Sequence, residues 1–512
     1  MLALGAAQSL AFAQPAAWWL PLLCVAGLAW RVRLASPARA AVLGAAFGTA
    51  WVASATAWLY ISLHRYGGLP AWLAASAVVL LAFVLSGYLA LAMAALARAT
   101  RHSVPSAGGH SWRWIGLFMV AWLAAELARG LLFTGFPWAA SGYAQVDGPL
   151  AWLAPWIGVY GIGAVSAGLA AGAVEGLRRR SVAAAVAWLG VAALCATGAA
   201  VGPIEFTSPQ RDLRVTLLQP NVAQDEKFVA QHLPATLAWV AQALLAARGD
   251  LVVAPETAIP LLPGQLDEMA PGYWARLQAH FASAGNDAIR ADPASRPAAL
   301  IGVPLGDPLA GYTNSVVGLD GSGAHYRYDK VHLVPFGEFI PPAFRWFTEM
   351  MNIPLGDFRR GDLDAPPFVL GKDRLLPNIC FEDLFGEQLA RHFASQDLAP
   401  TVLVNVSNIG WFGDSAAPWQ HLHISRMRSL ELQRPMLRAT NTGATAIIDH
   451  RAQVLASLPG FTRGVLTGVV QGRQGVTPYA RWAGTLGLWP MLVMAWLLLA
   501  WAAFRVPSTG RP

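Results

Sequence analysis

The stretch LPAWLAASAVVLLAFVLSGYLALAMAALA, residues 69–97, contains no charged side chain. It is longer than the roughly 20 apolar residues that an α-helix needs to cross the hydrocarbon core of a bilayer. The rest of the chain has a similar character, because 55% of its 512 residues are hydrophobic and only 13% are charged. An ordinary soluble domain carries roughly 25% charged residues. The sequence therefore predicts an integral membrane protein.

The formal net charge of +7 does not indicate a nucleic-acid partner. The basic residues are mostly arginines that lie between the apolar segments, and no basic stripe interleaved with aromatic side chains occurs in the sequence. We therefore expect no nucleic-acid binding.

Further apolar segments predict a multi-span membrane domain. Segments of spanning length also lie near 40–62, 114–133, 149–174, 182–201 and 483–504. At the start of the chain, residues 2–13 and 16–30 are each short, and Gln14-Pro15 separates them, which favours a helical hairpin. Counting both arms of this hairpin, we predict eight spans. No Lys or Arg precedes Arg31, so we do not expect the AFAQ motif to be a signal-peptidase site.

The arginines predict the orientation of these spans. They concentrate in alternate loops and at the tail: Arg31, Arg33 and Arg39; Arg98, Arg101 and Arg113; Arg178, Arg179 and Arg180; Arg505 and Arg511. Loops rich in arginine stay on the cytoplasmic side of a bacterial inner membrane. Both termini are therefore expected inside, and the long polar segment 205–480 is expected in the periplasm.

This polar segment has the pattern of one layered α/β domain. Short apolar runs bounded by Gly, Pro, Asn and Asp predict buried strands at 214–222, 250–260, 298–306, 314–320, 399–408 and 444–450. Helical stretches such as PATLAWVAQALLAARG separate them. We predict an N-terminal membrane domain over 1–204, the external domain over 205–480, and a last membrane helix with a cytoplasmic tail over 481–512.

Three residues at or just past predicted strand ends have the chemistry of a nucleophilic site: Glu256, Lys330 and Cys380. A thiol needs a base or a nearby cation to react, and an ammonium can also stabilise an oxyanion. Each residue has another interpretation, as a helix-start acid, a solvated surface charge and a small buried hydrophobe, respectively. Cys24 and Cys195 fall within predicted spans, so Cys380 alone is available outside the membrane. Lysine is rare in this arginine-rich chain, which favours a specific role for Lys330.

An ordered series of motifs then resembles one family over nearly the full length. The motifs are TGFPWAASGYAQVDGPLAWLAPWIGVYG in the membrane part, followed by QPNVAQDEKF, APETAIP, YDKVHLVPFGEFIP, NICFED and NTGATAIID. The external domain resembles the nitrilase superfamily of carbon-nitrogen hydrolases, whose triad is Glu, Lys and Cys in this order. The whole chain resembles the bacterial apolipoprotein N-acyltransferases. The resemblance implies an αββα sandwich carried on a bundle of membrane helices.

The resemblance also implies a two-step acyl transfer. Cys380 would attack the sn-1 ester of a membrane phospholipid and form a thioester, and the α-amine of a diacylglyceryl-cysteine lipoprotein would then accept the acyl group. Glu256 would be the general base, and Lys330 with the backbone N–H of Phe381 would stabilise the oxyanion. No cofactor and no metal are implied.

Other positions match acidic residues of the family or suggest contacts with the substrate. Glu338 and Glu382 would hold Lys330 and the Cys380 turn, although they can also be read as hydrogen-bonded core carboxylates. Two residues depart from the family pattern: Phe381 stands where a Tyr is frequent, and Phe228 stands where a Trp is common. We keep Phe228 as a candidate substrate contact.

The segment 341–358 is unusually rich in Phe, Trp and Met for an external loop. Its large side chains Trp346, Phe347, Met350 and Met351 fit a lid that captures acyl chains, and they equally fit a protein core. Both interpretations remain open from the sequence.

Two other classes of function are also compatible with these motifs. One is a membrane-tethered hydrolase that cleaves a small periplasmic amide with the same triad. The other is a lipoprotein-binding module with a vestigial triad. The complete Glu-Lys-Cys set argues against the second, and seven predicted spans before the domain exceed what tethering needs.

The arginine distribution generates a prediction about topology. A cysteine engineered into segment 205–480 should react with a membrane-impermeant maleimide on intact spheroplasts, because the segment is expected outside the membrane. A cysteine placed in the loop 178–180 should be protected. The opposite labelling pattern would reverse the orientation.

Overall fold

The computed structural model describes residues 1–101, 109–179, 204–282, 297–307, 311–321, 326–340 and 358–504, together with scattered positions between 190 and 202. The chain divides into two compact units. The first contains Met1–Leu59, Ala71–Ile204 and Trp482–Pro512, and the second contains Tyr60–Pro70 and Glu205–Arg481. The loop Tyr60–Pro70, which precedes a long apolar helix, thus groups with the segment Glu205–Arg481.

The first unit begins with six helices. They are α1 (Leu2–Ala13), α2 (Leu20–Val32), α3 (Pro37–Ala55), α4 (Ala71–Thr100), α5 (Gly109–Leu131) and α6 (Ala154–Arg179). Along the chain, short helical turns lie between them at Pro15–Ala17, Leu59–Ile61, Leu132–Thr134, Ser141–Gln145 and Ala151–Leu153, and at Ser62–Tyr66, which belongs to the second unit.

Four helices of the described residues are long and apolar enough to cross a membrane: Pro37–Ala55, Ala71–Thr100, Trp112–Thr134 and Ala151–Arg179. A fifth span results if Pro478–Leu486 and Trp489–Phe504, bent by 83°, count as one. The predicted number of eight is therefore not confirmed. The predicted N-terminal hairpin does form two helices, but α1 and α2 have only 12 and 13 residues. Most of the predicted span 182–201, with Cys195, lies outside the described residues.

Small residues let α3 and α4 pack closely. A Cβ atom on Gly44 would lie 3.0 Å from the carbonyl oxygen of Leu89, and one on Gly48 would lie 2.8 Å from the Cβ of Ser86. The two glycines are four residues apart, so they lie on one face of α3. This is the spacing by which membrane helices bring their backbones together, since lipid supplies no hydrophobic force between them.

The first unit also buries an ion pair on α5. Arg129 donates to Glu126 at 3.2 Å, and both side chains are almost inaccessible. The remaining acceptor positions of Glu126 are filled by the indole N–H of Trp122 at 3.0 Å and by the backbone N–H of Ser141 at 2.7 Å. These hydrogen bonds reduce the cost of keeping a charged pair in an apolar environment.

The second unit contains twelve strands in the described residues. They are β1 (Thr207–Gln219), β2 (Leu251–Ala254), β3 (Ala298–Asp307), β4 (Gly311–Leu319), β5 (Tyr326–Asp329), β6 (Phe368–Leu370), β7 (Asp373–Ile379), β8 (Val402–Ser407), β9 (Met436–Thr440), β10 (Ala446–Ile448), β11 (Val454–Ser457) and β12 (Gly464–Gly475). All six strands that the sequence predicts are present, and their ends agree within three residues, except that β1 begins at Thr207 instead of 214 and β2 ends at Ala254 instead of 260.

The helices that follow α6 complete the described elements. They are α7 (Leu233–Ala246), α8 (Pro263–Met269), α9 (Tyr273–Ala282), α10 (Gly386–Arg391), α11 (Ala417–Leu432), α12 (Pro478–Leu486) and α13 (Trp489–Phe504). Single 3₁₀ turns occur at Cys380–Leu384 and Ile409–Phe412.

The strands form two six-stranded sheets, in the orders β12-β1-β2-β3-β4-β5 and β11-β10-β9-β8-β7-β6. One apolar core joins the sheets, with members such as Leu217 and Val253 from the first and Leu375 and Val404 from the second. A second core packs α7 and α9 against the outer face of the first sheet. The predicted α/β domain is thus built as two sheets packed face to face.

The sheets position the predicted site residues. In the first sheet β1, β2 and β3 run parallel, and in the second β7, β8 and β9 run parallel. Loops at the carboxyl ends of parallel strands are a common place for ligand sites. Glu256 follows the end of β2, Lys330 follows β5, and Cys380 follows β7.

The close approach of Gly302 to the loop of Glu256 generates a prediction. A Cβ at position 302 would lie 2.7 Å from the Cα of Glu256 and closer still to the Pro255 carbonyl oxygen, so Gly302→Ala must displace that loop. We expect a loss of about 1–3 kcal/mol in unfolding free energy, the usual cost of overpacking. Thermal melting of the purified protein measures it. Gly464→Ala on β12 is the control, because its nearest neighbour is a Leu458 side-chain carbon at 3.4 Å. Equal melting shifts in the two variants would contradict the prediction.

Candidate active site

Lys330 lies at the centre of the candidate site. Its Nζ donates to Oε1 of Glu338 at 2.8 Å and to Oε1 of Glu256 at 3.4 Å, and the side chain is only 1% exposed. Burial by itself would lower the pKa of an ammonium, but the two carboxylates outweigh it and raise the pKa of Lys330. Lys330 therefore stays charged at neutral pH.

Hydrogen bonds orient the Glu256 carboxylate. The side-chain amide of Asn314 donates to Oε1 at 2.6 Å, and the backbone N–H of Asn408 donates to Oε2 at 2.7 Å. The same amide of Asn314 donates to Glu338 at 2.9 Å, which links the two carboxylates. Neither asparagine was among the predicted site residues. Asn314 lies in the predicted strand run 314–320, and Asn408 lies in the run 399–408. A polar side chain at the end of a predicted buried strand was the only feature of the sequence that could have marked either asparagine as a site residue.

Glu338 contacts both Lys330 and the loop that follows it. Besides contacting Lys330 and Asn314, it accepts the backbone N–H of Val334 at 2.9 Å through Oε2. This contact closes the loop that follows Lys330, so the carboxylate fixes both the ammonium and the backbone beside it.

Cys380 begins the 3₁₀ turn Cys380–Leu384 directly after β7. Its φ angle is +55°, in the left-handed region that non-glycine residues rarely adopt. Such strain recurs at nucleophiles on sharp strand-to-helix turns. Burial raises the pKa of the Cys380 thiol, the charge of Glu256 adds to this, and the charge of Lys330 opposes it. The thiol is therefore neutral at rest and needs a base.

Glu382 connects the turn Cys380–Leu384 to the loop that follows Lys330. It accepts the backbone N–H groups of Ile379 at 2.6 Å, Val331 at 2.6 Å and His332 at 3.1 Å. The hydroxyl of Tyr328, on β5, donates to it at 2.8 Å. Burial raises the pKa of Glu382. Its position fits the expected supporting role of holding the turn.

A second lysine lies near the cluster. Lys227 is buried, and its Nζ donates to the backbone carbonyl of Glu256 at 3.2 Å. Burial lowers the pKa of Lys227 to about 8, although the charge of Glu256 opposes the shift. The sequence analysis did not predict that Lys227 lies beside Glu256. Lysine is rare in this chain, but nothing in the sequence around Lys227 relates it to Glu256.

The candidate substrate contacts are only partly described. Phe228, next to Lys227, is 38% exposed, as a contact for an incoming substrate would be. The segment 341–357, with Trp346, Phe347, Met350 and Met351, lies outside the described residues. In the part of the chain that is described, no group of three or more His, Cys, Asp or Glu side chains could hold a metal ion.

Comparison with known families matches both parts of the chain. Residues 4–172 match the family model of the apolipoprotein N-acyltransferase N-terminal domain, and residues 214–479 match that of the carbon-nitrogen hydrolases. The two matches together span most of the sequence.

Relatives in other bacteria extend these matches to nearly the full length. The apolipoprotein N-acyltransferase of Verminephrobacter eiseniae is 50% identical over 94% of this chain and 92% of its own length. That of Ralstonia nicotianae is 44% identical over 93% of this chain and 88% of its own length. Among solved structures, a carbon-nitrogen hydrolase superfamily protein from Xanthomonas campestris covers 56% of this chain and 97% of its own, with 19% identity and a TM-score of 0.38.

The contacts of Glu382 generate a prediction. Glu382→Gln should cost about 1–3 kcal/mol of stability, because the amide NH₂ would replace an acceptor that faces buried N–H donors. Tyr328→Phe is the matched comparison, since it removes one donor and leaves the carboxylate with three N–H groups. We expect its cost to be about 1 kcal/mol or less. The measurement is the change in melting temperature of each variant relative to the wild-type protein. A larger decrease for Tyr328→Phe than for Glu382→Gln would refute this role of Glu382.

Proposed function

The chain belongs to the apolipoprotein N-acyltransferase family, and we propose that its reaction runs on Glu256, Lys330 and Cys380 with a membrane phospholipid as the acyl donor. The protein is an acyltransferase of lipoprotein maturation, and it acylates the N-terminus of lipoproteins. The observation that carries the assignment of the residues is the buried contact of Lys330 with Glu256 beside the Cys380 turn.

The first half-reaction moves the acyl chain to the enzyme. Glu256 removes the thiol proton of Cys380, whose raised pKa keeps it protonated at rest. The sulfur attacks the sn-1 carbonyl carbon, a C–S bond forms, and the ester C–O bond breaks. Glu256 returns its proton to the departing oxygen of the lysophospholipid. The products are a thioester on Cys380 and a neutral alcohol, so this step releases no net proton.

Lys330 and the backbone N–H of Phe381 stabilise the tetrahedral oxyanion. Lys330 is fixed by Glu256 and Glu338, so its charge is already in place before negative charge develops on the substrate. Phe381 is the second residue of the turn Cys380–Leu384, and the first N–H groups of a helical turn have no partner inside the turn. The ammonium and the amide would then bind one oxygen from two sides.

The second half-reaction passes the acyl chain to the lipoprotein. The free α-amine of the diacylglyceryl-cysteine attacks the thioester carbon, a C–N bond forms, and the C–S bond breaks. Glu256 takes a proton from the attacking nitrogen and delivers it to the departing thiolate of Cys380. The thiol is restored for the next cycle.

A bacterial inner-membrane location with the catalytic unit on the periplasmic side agrees with this reaction. The arginine distribution supports the orientation, and the apolar helices support a protein embedded in the membrane. A membrane-tethered amide hydrolase is not favoured, because residues 4–172 match the N-terminal domain of the acyltransferases.

The thioester can be tested directly. Incubation of the detergent-purified protein with phospholipid should add the mass of one acyl chain, and a label on the sn-1 chain should be retained. Cys380→Ala should show no adduct, and Cys380→Ser should form it poorly, because a hydroxyl is much harder to deprotonate than a thiol.

Cys24→Ala is the matched control for this experiment. Cys24 is buried on α2 in the membrane unit, so its loss should leave the adduct unchanged. An adduct that persists in Cys380→Ala would show that the nucleophile lies elsewhere. Retention of the sn-2 label alone would overturn the proposed donor position.

A further inference from the structure

Asn405, on β8, is fully buried behind the nucleophile turn. Its Nδ2 donates to the backbone carbonyl of Cys380 at 3.0 Å and to Oδ1 of Asn378 at 2.7 Å. Its Oδ1 accepts from the hydroxyl of Ser407 at 2.7 Å and from Nη1 of Arg438 at 3.1 Å. Both N–H groups and both acceptor positions of this amide are therefore used.

Arg438 determines which way the Asn405 amide faces. A guanidinium can only donate hydrogen bonds, so the atom of Asn405 that faces it must be the oxygen. The NH₂ group must then face the carbonyl of Cys380. Arg438 is itself fixed, because its Nη1 donates to Ser425 at 2.8 Å and its Nη2 donates to Nδ1 of His421 at 2.9 Å.

The same network returns to the nucleophile turn through Asp383. Because Nδ1 of His421 accepts from Arg438, Nε2 carries the proton and donates to Asp383 at 2.6 Å. Ser425 also donates to Asp383, at 2.5 Å. Burial lowers the pKa of His421, which agrees with a neutral imidazole. The turn is thus held at Cys380 and at Asp383 by one buried network.

The peptide between Cys380 and Phe381 connects this network to the proposed oxyanion site. The peptide between Cys380 and Phe381 is trans. In a planar trans peptide the C=O and the N–H point in opposite directions. A side chain that anchors the Cys380 carbonyl therefore fixes the direction of the Phe381 N–H. Within the described residues that N–H has no acceptor.

We propose that Asn405 is the positioning residue of the oxyanion site: by holding the Cys380 carbonyl, it aims the Phe381 N–H at the oxygen of the tetrahedral intermediate. The proposal rests on the proposed function, in which that N–H binds the oxyanion. A donor stabilises a transition state only when it is already oriented, because reorienting it during the reaction costs free energy. The left-handed backbone of Cys380 is strained, so its peptide needs an external anchor.

Two reactions of Cys380 separate this role from a general structural one. Acyl transfer passes through a tetrahedral oxyanion in both half-reactions. Alkylation of the thiol by iodoacetamide is a displacement at a CH₂ carbon, and it forms no oxyanion. Loss of an oxyanion donor should therefore slow the first reaction and leave the second unchanged, whereas a disordered site would slow both.

The test uses Asn405→Leu, which keeps the side-chain shape, and Asn405→Ser, which leaves room for water if the leucine variant does not fold. Loss of a whole oxyanion donor costs roughly 10²–10³ in rate. In these variants the donor remains and the imidazole of His421 still lies beside the Cys380 carbonyl. We therefore expect acylation by phospholipid to slow by about tenfold or more, with alkylation by iodoacetamide nearly unchanged. Intact-mass kinetics follow both reactions.

Gln219→Leu is the matched control. Gln219 is an equally buried amide whose Nε2 donates to the backbone carbonyls of Pro459 at 2.8 Å and Thr462 at 2.7 Å, with no hydrogen bond to the candidate site. Its replacement costs a comparable set of hydrogen bonds. We expect the ratio of the acylation rate to the alkylation rate to stay at the wild-type value.

The outcomes separate the two proposals. If acylation and alkylation fall in parallel in the Asn405 variants, or if neither falls, Asn405 does not position an oxyanion donor. If the wild-type protein is alkylated but forms no acyl adduct, the proposed donor reaction fails instead. A lower acylation rate with normal alkylation in Gln219→Leu would also overturn the inference, because the effect would not be specific to Asn405.

Discussion

The buried ammonium of Lys330 imposes the main constraint on the candidate site. An isolated charge in the interior costs several kcal/mol, and two carboxylates, from Glu256 and Glu338, compensate it. Their surplus negative charge must in turn be stabilised by donors, which Asn314 and the backbone of Asn408 provide. The excess negative charge of the two carboxylates, together with burial, opposes ionisation of Cys380. The site therefore holds a neutral thiol beside a base.

The two-sheet architecture holds the members of this cluster in place. Glu256 and Lys330 come from the first sheet, whereas Cys380 and Asn408 come from the second. The apolar core between the sheets fixes their separation, because close-packed side chains leave little freedom for one sheet to move against the other. Polar groups at strand ends therefore meet with defined geometry, although they are far apart in sequence.

Behind Cys380, a second layer of buried polar side chains holds the turn Cys380–Leu384. Asp383 and Arg438 form a buried pair of opposite charge, and His421 and Ser425 each donate to Asp383 and accept from Arg438. Hydrogen bonds in a buried polar network strengthen one another and favour a single arrangement of its members. In the mechanism proposed above, this network would keep the peptide after Cys380 oriented through both half-reactions.

The sequence by itself determined the class of the protein and indicated three candidate site residues. Apolar length, arginine distribution and strand-helix alternation are local properties of the chain, so they predicted a membrane protein with an α/β domain. Short motifs likewise marked Glu256, Lys330 and Cys380, because their immediate neighbours carry the signal. The predicted count of eight spans is not confirmed: hydropathy shows that α1 and α2 are apolar, but helices of 12 and 13 residues are shorter than the roughly 20 residues that cross a hydrocarbon core.

Only the tertiary structure decided which polar groups surround the three candidate site residues. Asn314, Lys227, Asn405 and Arg438 lie in ordinary strand and loop sequences, and their contacts with the site arise from chain segments far apart in sequence, whose pairing is set by sheet register and burial rather than by neighbouring residues.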